Sequence, residues 1–248
     1  MKLNFFRRVG QPWCVGLVLL VLRLVQNLTG FDQNTGLSQT SLPGMILVAG
    51  LLVLAAAEIL LALRLDKTKA SFSRRFAVPD REIPFLTVGC FLLIAGGGLL
   101  AVSSFGQVSG VASMVAGIMG AVSGGCLLAL VRIMRSGSCV SVTPLLPAMF
   151  FGVFLVLAVY LPAADDPVLA RYYLPVLASA MVAYAFSLLA GFLRGESSPR
   201  SFTPVADLAV ILSITAMADG GIPLALLFGG CALVLSVFLL LQQPTVAD

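Results

Sequence analysis

Histidine is absent from the 248-residue chain. Haem held by histidine, histidine-based zinc or iron centres and a histidine proton relay are therefore excluded. Charge is scarce, at 10% of residues against 59% hydrophobic. Soluble domains carry about a quarter charged residues. So few charges cannot cover the exterior of a soluble core of this size, and lipid must be the main solvent. Lysine occurs only at Lys2, Lys67 and Lys69, outside the apolar runs, which excludes a Schiff-base lysine within a span. The five cysteines, Cys14, Cys90, Cys126, Cys139 and Cys231, show no CxxC or disulfide spacing. The sequence also lacks HExxH, GxSxG, a paired-glutamate motif and a P-loop. No enzyme class and no cofactor is indicated.

What the chain has is apolar runs of membrane length, since a bilayer core requires about 20 apolar residues per helix. Eight are expected: about Pro12 to Thr29, Gly44 to Leu63, Pro84 to Ser104, Val108 to Val131, Pro144 to Leu161, Pro167 to Leu193, Pro204 to Ala218 and Pro223 to Leu241. Thr143-Pro144, Asp166-Pro167 and Thr203-Pro204 read as helix starts, a capping side chain followed by proline at the first helical position. Pro175, inside the sixth run, predicts a kink. Asp219-Gly220-Gly221 reads as a tight turn, with no second aspartate at matching depth to make a protease-like pair.

Thirteen of the fifteen basic residues fall at the N-terminus or between runs two and three, four and five, or six and seven. Only Arg171 falls on the opposite side, and Arg23 lies within a span. By the positive-inside rule this gives an all-α polytopic transmembrane bundle of about eight helices with both termini cytoplasmic. The expected setting is a bacterial cytoplasmic membrane. Basic residues placed this way are topogenic, so no nucleic-acid partner is expected. The partners implied are the lipid bilayer and either other membrane subunits or a second copy. Arg7-Arg8 before an apolar run has the look of a signal peptide. Arg23 interrupts that run and no small-x-small site follows, so an uncleaved first helix is expected. Residues 1–248 read as a single membrane domain, with a weak 4+4 helix repeat over about 12–134 and 144–242 suggested by Gly124-Gly125-Cys126-Leu127 and Gly229-Gly230-Cys231-Ala232.

Polar residues within the spans are the candidate functional residues. Arg23, Gln26 and Asn27 share one helix face with Gly30. A charge near a helix centre costs about 2.5–3.5 kcal/mol, so Arg23 needs compensation. It either snorkels outward over this stripe or contacts a solute in an outward-opening cavity. Glu58 lies six residues before Arg64, roughly 9 Å from the helix end at 1.5 Å per residue, and must be paired or protonated. Counted from the inner ends, the depths of Arg23 and Glu58 bring them within pairing reach. Asp207 is expected one turn into the seventh helix, where an acid complements the helix dipole.

The fourth run carries small residues at spacing four, Ser113, Gly117, Ala121, Gly125 and Ala112, Ala116, Gly120, Gly124. Such stripes let backbones approach closely. This helix is expected to pack centrally against Ala95-Gly96-Gly97-Gly98 and against Gly221, Ala225 and Gly229. Two functional readings follow. Arg23 and Glu58 inside a glycine-rich bundle suggest a small-solute or ion transporter, or a membrane subunit of one. The lack of a dense polar cluster suggests a non-transporting scaffold or assembly partner.

Overall fold

The computed structural model describes residues 10–30, 42–65, 82–105, 110–135, 145–165, 172–219 and 221–242. They form eight α-helices: α1 Gln11–Thr29, α2 Leu42–Arg64, α3 Ile83–Ser103, α4 Val111–Arg135, α5 Leu146–Asp165, α6 Tyr173–Leu193, α7 Pro199–Ala216 and α8 Ile222–Leu241. Among the described residues there is no strand. Six helices, α1, α2, α3, α4, α6 and α8, are long and apolar enough to cross a membrane. This is a multi-pass membrane protein. The apolar part of α5, Leu146–Leu161, is shorter, and α7 has 18 residues including Arg200 and Asp207.

Proline punctuates the helix starts. Pro12, Pro84, Pro199 and Pro223 stand at the first or second helical position, where a missing N–H breaks no bond. Two sequence expectations are corrected here. Thr203-Pro204 is not the start of α7: extended Ser198 caps it, Pro199 opens it, and Pro204 lies inside. The capping serine and proline occur five residues earlier than expected because the α6–α7 turn is so short. Gly195, at φ +72°, ends α6 in the left-handed conformation, and the Glu196 N–H donates back to the Gly191 carbonyl at 2.9 Å. Pro175 is the third residue of α6, so it lies in the first turn and carries no reason for a kink. Thr143-Pro144 and Asp166-Pro167 lie outside the described residues.

α3 is the spine for two neighbours. A Cβ on Gly97 would lie 2.5 Å from the Gly117 carbonyl oxygen and 2.6 Å from the Ala121 nitrogen; one on Gly124 would lie 2.6 Å from the Cys90 carbonyl oxygen. The pairing of 97 with 117–121 and of 90 with 124 makes α3 and α4 antiparallel. On its other side Gly96 meets the Leu227 nitrogen and Gly89 meets Val234, so α8 is antiparallel to α3 as well. α4, α5, α6 and α7 then follow one another around the bundle, each packed on the next, and α7 returns to α8. α1 and α2 pack on each other and on α7.

The buried centre is α7 and α8 rather than α4. Nearly three-quarters (72%) of the apolar stretch of α8 is enclosed, against 44% of α4. Every residue of α7 from Ala209 to Ala216 is buried. Phe151, Phe186, Phe192, Phe202, Phe228 and Phe238 fill the space around them, with Phe192 and Phe202 edge to face at 5.6 Å between centroids. Small residues on α4 allow close approach, but large aromatic side chains decide which helices are surrounded.

α2 is the opposite case. Only 6% of its apolar stretch is enclosed. Its buried residues, Gly44 and Leu47, both lie near its start. From Leu51 to Arg64 no residue of α2 is buried.

Candidate functional site

The polar stripe of α1 meets the turn between α7 and α8. Arg23 is fully buried, at 0% exposure. Its Nε donates to both carboxylate oxygens of Asp219, at 2.7 and 2.9 Å, and its Nη1 donates to Gln26 Oε1 at 2.8 Å. Asn27 Nδ2 donates to Asp219 Oδ1 at 2.9 Å and to the Ala218 carbonyl at 3.3 Å. The Arg23 guanidinium lies over the ring of Tyr173, 5.1 Å from its centroid, at the start of α6. Three elements thus converge on one charge pair: the face of α1, the end of α7 and the start of α6.

Each polar group here serves another. The guanidinium satisfies the carboxylate, Asn27 fills a remaining lone pair of Asp219, and Gln26 turns its carbonyl toward the cation. Burial pushes the Asp219 carboxyl above its ordinary value, while the hydrogen bond and charge of Arg23 and the Asn27 amide pull it back down. Chemically, the arrangement is a buried, hydrogen-bonded ion pair that fixes α1 to the bundle. At the other end of α1, Trp13 Nε1 donates to Ser236 Oγ on α8 at 2.9 Å. Two polar ties therefore set the position of α1 along α7 and α8, and Ile214 fills the space opposite Gly16 between them.

Arg23, Gln26 and Asn27 are brought together; Glu58 is not among them. Arg23 pairs with Asp219, which sequence reasoning treated only as a turn residue. The guanidinium lies against the α7–α8 turn instead. Glu58 is half-buried on α2, and among the described residues its covered Oε2 has no hydrogen-bond partner. Asp207 is the ninth residue of α7, not in its first turn, because that helix begins at Pro199. It is buried there, beyond reach of the favourable end of the dipole.

The α4 residues separate into faces. Gly117 and Gly124 meet backbone atoms of α3, while Gly120 meets the side chains of Leu227 on α8 and Phe151 on α5. Gly125 has open space on its Cβ side, and Ser113 and Ala121 are half-buried. The α8 stripe expected to meet α4 does not do so: Gly229 faces Met217, and Gly230, one position on, packs against Gly89 and Leu93 of α3. Among the described residues no group of three potential metal ligands occurs. No family model, no curated protein and no solved structure matches the chain.

Proposed function

We propose that this chain is a non-transporting assembly subunit: a membrane scaffold whose α1–α2 side receives another membrane protein. The exposure of α2 carries the reading. A helix with 6% of its apolar stretch enclosed contributes little to the chain's own core, and from Leu51 onward none of its residues is fully buried. The rest of the bundle is filled by aromatic side chains, and the Arg23–Asp219 ion pair serves to hold α1 in place. A small-solute or ion path, with Arg23 and Glu58 as its contacts, draws support from Glu58 alone once Arg23 is engaged by Asp219. The basic residues Arg64, Arg132, Arg194 and Arg200, at the ends of α2, α4 and α6 and the start of α7, support reading that face as cytoplasmic and the setting as a bacterial membrane. Native electrophoresis of membranes extracted in mild detergent tests the assembly reading. The expected result is a discrete species heavier than the monomer that contains a second polypeptide. Migration of the extracted chain as a monomer overturns it.

A further inference from the structure

Glu58 is the one acid on α2, and Arg64 at its end is the only other charge on that helix. The surrounding surface is apolar and exposed: Leu52, Val53, Ile59 and Leu60 are each more than 60% accessible. Among the described residues Glu58 makes no ion pair, and its Oε2 has no hydrogen-bond partner. The charged groups on the helices packed against α2 do not answer it. On α1, Arg23 is engaged by Asp219; on α7, Asp207 is itself an acid, and Arg200 lies at the helix start. A carboxyl in hydrocarbon next to an unfilled helix face calls for a cation or hydrogen-bond donor brought by something else.

We propose that the half of α2 around Glu58 is a docking face for a transmembrane helix of a different protein, one that carries a lysine or arginine at the depth of Glu58. Alanines at 55, 56, 57 and 62 beside Glu58 leave room for the incoming backbone. Among the described residues a second copy of this chain offers no cation at that depth, because Arg23 is fully buried on its own Asp219 and Arg64, Arg132 and Arg200 stand within a turn of a helix end. The proposal rests on the assembly reading and specifies where and through which charge the partner is held.

The test has two arms, both with the full chain. In liposomes, a photoreactive residue at Ile59 is challenged with leucine-rich transmembrane peptides identical except for one lysine or one leucine at the depth of Glu58. The lysine peptide should cross-link about tenfold more. Glu58→Gln should erase the difference, and Glu58→Lys should transfer the preference to a peptide bearing glutamate. Equal cross-linking of the two peptides, a difference that survives Glu58→Gln, or cross-links only between copies of the chain would each overturn the proposal. In cells, Glu58→Gln should dissociate the heavier native species, and exchanging the charges of Glu58→Lys and the partner's cation should restore it. A native complex that persists in Glu58→Gln overturns this docking face and leaves the assembly reading standing. A wild-type chain that is monomeric overturns both.

Discussion

An arginine inside an apolar helix is tolerated if it reaches water or if it meets an acid. Arg23 does the second, with both Asp219 oxygens within 2.9 Å. Breaking a buried pair by removing one partner typically costs about 3–5 kcal/mol, because the remaining charge is left unpaired. Asp219→Asn and Arg23→Gln should each lower stability by that order, and the double variant should recover much of the loss. Denaturation of the two singles and the double in detergent gives the coupling energy. The same cycle between Arg23 and Glu58 should give a coupling near zero. A large Arg23–Glu58 coupling with none to Asp219 would overturn the assignment. Asn27→Ala removes two donated bonds while leaving the ion pair, so it should cost about 1–2 kcal/mol, less than either charge removal. The need for a partner to Arg23 was legible in the sequence; the identity of the partner was not. Counting depth from the inner helix ends pointed to Glu58. Counting from Thr29, the end toward which Gln26 and Asn27 extend the stripe, would have pointed to an acid beyond the end of another helix, as Asp219 is. Nothing in the sequence said that the seventh helix, rather than the second, lies beside that face.

At the scale of the helix, apolar runs bounded by proline and glycine were enough to place all eight elements, most within a few residues. α7 and the start of α6 moved furthest, and α7 did so because two Ser/Thr-Pro pairs compete for its start: Ser198-Pro199 wins, and Pro204 is accommodated inside. Small-residue spacing pointed to a close approach of α4 by α3, which Gly97 makes on Gly117 and Ala121, but it also pointed to the α8 stripe, whose Gly229 faces Met217 instead. The glycines of α4 now divide into three environments, and a graded series of alanine variants should follow them. Gly117→Ala and Gly124→Ala press a methyl against the α3 backbone, which cannot rotate away, and should cost about 1–3 kcal/mol each. Gly120→Ala meets the ends of Leu227 and Phe151, which can shift, and should cost less. Gly125→Ala meets open space and should fall within about 1 kcal/mol of the parent, on the stabilising side if helix propensity decides. Thermal unfolding in detergent ranks the four. Equal losses at Gly117 and Gly125 would mean that α3 does not approach α4 as closely as the structure has it.

For the whole molecule, the question left by composition is how many of the eight helices cross the bilayer. Six satisfy length and apolarity by themselves. α5 and α7 differ in having neighbours on several sides: α5 packs on α4 and α6, and α7 packs on α1, α2, α6 and α8. A helix enclosed by others need not be apolar toward lipid, which is why α7 can carry Arg200 and Asp207 and still run the depth of the bundle. The antiparallel pairing of α3 with both α4 and α8 agrees with strict alternation, because it makes the two even-numbered helices run in the same direction. Phe105, at the end of α3, and Glu196, between α6 and α7, are both exposed and distinguish the two counts. If all eight helices cross, three crossings separate these positions and they face opposite sides, with Glu196 cytoplasmic together with Arg64, Arg132 and Arg194. If α5 and α7 do not cross, two crossings separate them and they face the same side. Single cysteines at Phe105 and Glu196, in a background with Cys14, Cys90, Cys126, Cys139 and Cys231 replaced, should label with a membrane-impermeant maleimide from the outside at 105 only. Labelling of both from outside would remove α5 from the crossings and exclude a count of eight.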